Sequence, residues 1–347
     1  MFRKLLLLAV LSLSTIAAKA QNDIAIGKMY KLNSKQLNED REIQIYLPKS
    51  YTDTTITPQQ YPVIYLLDGE SNFNYLTAYV EKLSKYPYPS IPEMIVVGIV
   101  NTNRTRDLTP STRKEENMTE AQKSKIKGES GGNANFFSFI EKELMPYINE
   151  NYRTMGYNVL IGHSFGGITA LNNLLNYTDM FHAYIVHDPS IWWDGQYMLK
   201  QYELNPTKDF KNRKLFVTQV DESQNKGGQK EHYSSIQEYN QYMTKTKLKN
   251  LSYKYVQYEG EDHGSIPLKG NLDGLRYIFE GFGINFKQIK ENPKLVEENY
   301  KSFSQKMHFE FKPNEAYLNY IIDYYKKMDE QDTVKYFEQY RDKLHQK

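Results

Sequence analysis

The sequence predicts an α/β fold: a mostly parallel central sheet covered by helices on both faces, followed by a short all-helical C-terminal extension. Three observations carry this. Short apolar runs bounded by turn residues recur along the chain, as strands buried on both faces require. Between them lie stretches with apolar residues at helical spacing, and this alternation is the pattern of a doubly covered parallel sheet. From about Lys287 onward strand patterns cease and charged helical sequence takes over. The 347 residues allow two or three domains, or one large α/β domain with an appendage.

In chain order, residues 1–20 read as a secretory signal that is removed after Ala20. Arg3 and Lys4 form its basic start, Leu5 to Ile16 its apolar stretch, and Ala18-Lys19-Ala20 a small-residue cleavage site. The expected strands are Arg41 to Leu47, Tyr61 to Leu67, Met94 to Val100, Asn158 to Ile161, Ala183 to His187, Lys214 to Val220 and Leu251 to Tyr258. The first alternates in and out, which fits an antiparallel opening of the sheet. Expected helices are Asn135 to Asn149, Gly166 to Leu175, His232 to Lys247 and Leu272 to Phe282. Two polar segments, Asn101 to Asn133 and Asp221 to Gln229, fit neither period and read as functional lids or loops. Glu315 to Tyr325 and Thr333 to Leu344 read as a helix hairpin of tetratricopeptide type, with Tyr317, Ile321, Tyr324, Val334, Phe337 and Tyr340 facing inward. A single such unit cannot bury its own face, so it should pack on the preceding domain or on a partner protein. The expected organisation is a signal at 1–20, an α/β domain at 21–286 and a helical extension at 287–347.

Composition narrows the chemistry. There is no cysteine, which removes disulfides, a thiolate nucleophile and any cysteine-ligated metal. With 44 basic and 42 acidic residues the net charge is +2, no footprint for nucleic acid. Removing Arg3, Lys4 and Lys19 with the signal leaves 41 basic against 42 acidic residues, or −1. No later stretch has the length of a membrane span, so a periplasmic or secreted protein without a stable membrane anchor is expected. The 30 tyrosines are the one strong compositional anomaly.

The decisive segment is Asn158 to Ala170, NVLIGHSFGGITA. An apolar strand runs into Gly162-His163-Ser164-Phe165-Gly166 and then a helix, the strand-turn-helix context of a nucleophile elbow in an α/β-hydrolase fold. Ser164 is the candidate nucleophile, and Gly162 and Gly166 stand where a side chain would collide with neighbouring backbone. A serine hydroxyl needs a base, and the base an orienting acid. Of seven histidines, only His187 and His263 lie just after strands. His163 lies within the elbow and is expected to point away from the reacting centre, while His232 falls in a helix. His263 follows the last strand and is the candidate base; His187 lines the site or is a satisfied structural histidine. The acid is expected on a loop between the two, where Lys214 to Val220 ends at Asp221-Glu222, with Glu222 favoured over Asp221. Asp188 after the preceding strand is a less favoured acid, as is a Ser-His dyad with none. Phe165 would supply one oxyanion-hole N–H, and Gly69 or Glu70 the second.

With these residues placed, the chain resembles the esterase D-type family of α/β hydrolases. That family includes siderophore trilactone esterases, feruloyl and acetyl-xylan esterases, S-formylglutathione hydrolases and mycolyltransferases. The likeness covers about Ser34 to Phe282. It rests on LNEDREIQIYLP from Leu37, YPVIYLLDG from Tyr61, NTNRTRDLTP from Asn101, FFSFIEKELMPYINENY from Phe136, the GHSFGG elbow, DPSIWW from Asp188, and Asp262-His263-Gly264. NTNRTRDLTP resembles most the exported branch containing ferric-enterobactin and salmochelin esterases, some of which carry a tetratricopeptide-like tail. The resemblance implies Ser164 as nucleophile and His263 as base. It also places Arg104 and Arg106 beside the mouth of the site, where they hold an anionic substrate or are salt-bridged within their loop. Trp192 and Trp193 would add an aromatic rim for catecholate or feruloyl groups, or pack internally.

The function expected is therefore serine carboxylic-ester hydrolysis through an acyl-enzyme, with no metal or organic cofactor, on a siderophore trilactone. The alternatives are a feruloyl or acetyl ester of a polysaccharide, acyl transfer to another acceptor, or a non-catalytic binding platform.

Overall fold

The computed structural model describes residues 24–114, 116, 120, 123, 128–224 and 230–344, so the expected signal, most of the tip of the 101–133 segment and residues 225–229 lie outside it. An eight-stranded sheet forms its centre, in the order β1-β2-β4-β3-β5-β6-β7-β8. The strands are β1 (Lys28–Ser34), β2 (Glu39–Tyr46), β3 (Tyr61–Leu66), β4 (Ile95–Ile99), β5 (Thr154–His163), β6 (Ala183–His187), β7 (Arg213–Val220) and β8 (Leu251–Tyr258). β1 pairs with β2 and β2 with β4 antiparallel; every other pairing is parallel. The alternating pattern of β2 thus belongs to an antiparallel opening. β1 has no counterpart in the expected list, because KMYKLNS is an edge strand that is mostly solvated and carries little hydrophobic signal.

The helices are α1 (Gly69–Leu83), α2 (Arg104–Asp107), α3 (Asn133–Phe139), α4 (Met145–Asn151), α5 (Phe165–Asn176), α6 (Trp193–Glu203), α7 (Lys230–Thr246), α8 (Ile266–Ile278), α9 (Phe286–Ile289), α10 (Leu295–Met307), α11 (Glu315–Lys327) and α12 (Gln331–Leu344). A π-helical turn, Ile140–Leu144, joins α3 to α4. α8 begins six residues earlier than the apolar period suggests, since Pro267 in its first turn supplies the start.

Period-two alternation divides the sheet's side chains between two cores. Val63, Tyr65, Leu160, Val186 and Val217 face a core shared with α3, α5, α6 and α7. Ile64, Leu66, Val159, Ile185 and Phe216 face one shared with α1 and α8. This is why β3 and β6 read as continuous apolar runs: every residue in them is buried. Each fully buried Val, Ile or Leu contributes about 1.5–3 kcal/mol.

The second core extends without a break into the C-terminal helices through Phe286, Val296, Phe303, Leu318, Ile321, Val334 and Phe337. The extension therefore packs on the α/β unit. α10 adds a third helix to the expected hairpin. Tyr324, expected inward, is 38% exposed and covers Phe286 with its ring edge at 4.7 Å.

Candidate active site

β5 and β6 end in register, His163 beside His187. Ser164 follows at φ 58° and ψ −114°, a conformation that costs roughly 1–3 kcal/mol in a non-glycine residue and is held here by its surroundings. Its N–H donates to the His187 carbonyl at 3.0 Å, and its carbonyl accepts from Ile168 and Ser190 N–H at 3.2 and 3.1 Å. Its Oγ shares a hydrogen bond with Ser190 Oγ at 3.1 Å. The turn is tight enough that a Cβ on Gly162 would lie 2.1 Å from the Gly166 carbonyl oxygen, so only glycine fits. A Cβ on Gly166 would instead meet the Asp68 carboxylate at 3.3 Å, which sets the start of α1 directly against the elbow.

The N–H groups opening a helix have no intrahelical acceptor. Phe165 opens α5 behind Ser164, while Gly69 and Glu70 open α1 behind Asp68, itself left-handed at φ 54°. Two helix N-termini thus meet at the carboxyl edge of the sheet, a setting that favours developing negative charge.

His263 lies on the loop between β8 and α8. Its Nδ1 is 2.6 Å from Asp188 Oδ2, an arrangement that fixes the ring and leaves Nε2 as acceptor. Asp188 directly follows β6 at φ 40°, is fully buried, and accepts Val220 N–H on Oδ1 at 3.3 Å. Burial opposes its charge, but hydrogen bonds from His232 and His263 hold its carboxyl well below the usual range.

The carboxylate on His263 is thus Asp188, not the expected Asp221 or Glu222 after β7. Glu222 is exposed in a single 3-10 turn, Glu222–Gln224. Asp221 turns back to the Ser223 N–H at 2.7 Å, the Ser223 hydroxyl and the Gly260 N–H at 3.1 Å. Neither meets His263. β6 lies next to the nucleophile strand and β7 one strand further out, so the carboxylate that reaches the imidazole comes from β6. The signal available was Asp188-Pro189 standing immediately after a strand end.

His163 also departs from expectation: its ring packs against His263 with centroids 4.4 Å apart. Burial, with the neighbouring His263 and His187 imidazoles adding to it, holds it far below an ordinary histidine.

His187 does not line the site. It is buried between Thr218 and Asn271, bonded to each at 3.0 Å, and burial lowers it to about 4 despite the Asn271 bond. Trp193 is likewise internal, its indole N–H donating to the Ser111 carbonyl and hydroxyl and its ring edge-on to Phe165 at 5.1 Å. Trp192 is half-buried, 6.1 Å from the Phe165 ring. Arg106 is spent on Glu39 and Asp107, in an ionic cluster with the buried Arg41 that fastens α2 to β2. Arg104 forks onto Asp68 at 2.6 and 2.9 Å and reaches the His163 carbonyl at 3.3 Å while staying 35% exposed, so it stands at the mouth.

Among the described residues, Asp188, His232 and His263 have ligand-type atoms within 4.8 Å of one another. The nitrogens that converge there are hydrogen-bonded to one carboxylate oxygen. A cavity of about 820 Å³ lined by Tyr61, Tyr86, Arg153, Tyr300 and Phe311 opens at the start of β3 and β5, the opposite end of the sheet from Ser164.

The family model "Esterase: Putative esterase" matches residues 34–261. The chain belongs to this esterase family. Its fold is the α/β-hydrolase fold, extended at the C-terminus by helices. An IroE-like serine hydrolase of Shewanella oneidensis superposes with a TM-score of 0.79 at 33% identity, covering 92% of this chain and 99% of that one. A Bes protein of Bacillus cereus superposes at 0.60 with 27% identity, covering 75% of this chain and 98% of that one. The ferri-bacillibactin esterase BesA of Bacillus subtilis is 34% identical over 173 residues, 47% of this chain and 59% of the relative, so the chain matches BesA over less than two thirds of BesA's length. No helix among the described residues is long and apolar enough to cross a membrane.

Proposed function

We propose that the protein is a serine hydrolase of carboxylic esters in which Ser164, His263 and Asp188 act as nucleophile, base and orienting acid. The observation that carries this is the buried Asp188 carboxylate on His263 Nδ1, beside a serine held in a strained elbow between two helix N-termini. Ser164 Oγ attacks the ester carbonyl carbon as its proton passes to His263 Nε2. The oxyanion is met by the Phe165 N–H and by that of Gly69 or Glu70. Collapse breaks the C–O bond, and His263 returns the proton to the departing alcohol. Water, deprotonated by the same imidazole, then releases the acid and restores Ser164.

For substrate we favour a siderophore trilactone, because BesA is named for the ester of a ferric siderophore and Arg104 sets a part-exposed cation at the mouth. The sequence of residues 1–20 further supports export, with a mature chain beginning at Gln21. The test is labelling with a fluorophosphonate, turnover of p-nitrophenyl butyrate, and product masses from ferric enterobactin against methyl ferulate. Wild type should label and turn over, Ser164→Ala should do neither, and the trilactone should be opened faster than the ferulate. An unlabelled wild type, or a Ser164→Ala protein with full turnover, overturns the mechanism; faster cleavage of methyl ferulate overturns the substrate.

A further inference from the structure

Two imidazoles from two different elements converge on one carboxylate oxygen. Asp188 Oδ2 receives His263 Nδ1 at 2.6 Å and His232 Nε2 at 2.8 Å. The mechanism above uses only the first. His232 lies in the first turn of α7, is 8% exposed, and stands edge-on to the His263 ring with centroids 5.1 Å apart. Asp188 is itself wholly buried, so an oxygen deprived of this second donor would lose a charge-assisted bond that water does not readily replace.

We propose that His232 is a positioning residue for the base and acid, its Nε2–H anchoring the Asp188 carboxylate and withdrawing part of the negative charge that Asp188 would otherwise present to His263. The inference rests on the roles given above to Ser164, His263 and Asp188. A carboxylate oxygen shared by two donors stabilises either imidazolium less than one serving a single donor. His232 thereby shares the Asp188 charge with the base and limits the carboxylate to one rotamer.

Among the described residues, these groups stand around this pair. His163 packs on His263 from the end of β5, with Arg104 beyond it, and Glu261 and Asp262 share the loop of His263. Tyr255 from β8 and His187 from β6 also feel the charge of Asp188. Burial keeps His163 and His187 neutral, so Asp188 is the buried charge facing the base.

Imidazole ¹⁵N NMR tests this on the intact protein. In wild type, His232 Nε2 should carry a proton throughout pH 5–9; a bare Nε2 overturns the proposal, and this reading requires no variant to fold. His232→Leu should raise the titration midpoint of His263 by about one pH unit, and the acidic limb of kcat/KM for p-nitrophenyl butyrate should move by the same amount. His232→Gln, whose amide N–H can reach the same oxygen, should stay within a few tenths of wild type. A merely structural role would lower stability or kcat in the leucine variant without moving the midpoint, and an unmoved midpoint overturns the proposal. Because the ring titration does not depend on turnover, an inactive wild type would defeat the esterase reading while His232 is still judged on its own measurement.

Discussion

Asp188 adopts φ 40° with its side chain wholly buried, a conformation that few non-glycine residues hold without compensation. The compensation is the hydrogen bonding on its carboxylate, and this makes the residue the sharpest point of attack. Asp188→Asn should lower kcat on p-nitrophenyl butyrate by about 10³- to 10⁴-fold, since an amide no longer fixes the His263 tautomer. Asp221→Asn and Glu222→Gln should remain within a few-fold of wild type; a comparable loss in either would return the acid to the β7 loop. The contrast marks what a sequence can convey at this scale. Gly162, Ser164 and Gly166 are legible because they fall within five consecutive residues between a strand and a helix; the backbone itself demands glycine at 162, whereas at Gly166, against expectation, a Cβ would meet only the side chains of Asp68 and Leu67. The acid is not legible, because carboxylates follow both β6 and β7, and the choice is made by strand order across the sheet. For His187 and Trp193 the sequence leaves a site-lining and an internal role open, and the structure takes the internal one for both: a position after a strand end says nothing about which way the side chain turns.

At the scale of elements, the buried runs of β3, β4, β6 and β7 stand out because both faces of the sheet are covered, whereas β1 escapes notice as a solvated edge. α1 and α10 were not expected either; mixed tyrosine and polar positions blur their apolar stripe. The tyrosine excess finds part of its explanation between elements. Tyr86 stacks on Tyr317 at 5.1 Å, joining the C-terminal helices to the α/β unit, and Tyr325 stacks on Phe286 at 5.8 Å within those helices. One joint is costly. Lys214 of β7 buries its ammonium against the Ile278 carbonyl at 2.8 Å and Met307 Sδ at 3.1 Å, and burial lowers it to about 8. A lysine lowered by folding costs stability in full below pH 8, and the cost fades as pH rises toward its unfolded value. Lys214→Met should therefore raise stability at pH 7 by about 1–3 kcal/mol, with a smaller gain at pH 10. Urea unfolding at both pH values checks this, and an equal gain at both would show that the charge was not the cause.

For the molecule as a whole, three imidazoles, one buried and two half-buried, set the response to acid. His163, His182 and His187 all lie well below 6.5, held there chiefly by burial. In the unfolded chain they take up protons as pH falls through about 6.5, while the folded His182 and His187 resist until about 4. Stability present above pH 6.5 should thus drain away between there and pH 4, and unfolding at pH 5.5 should take up about three protons per chain. Calorimetry in buffers of different ionisation enthalpy measures that number; an uptake near zero would mean these rings are already charged in the fold. The continuous second core has a further consequence, for the order of events during synthesis. Tyr46 of β2 and Phe337 of α12 belong to one apolar cluster, covered at its sheet end by α1 and completed at its far end by α11 and α12, so the far face stays open until α12 is made. A ribosome adding about 5–20 residues per second leaves that face uncovered for many seconds. The C-terminal end of the cluster should stay open over that interval, accessible to chaperones or to a translocation channel, until α12 is complete.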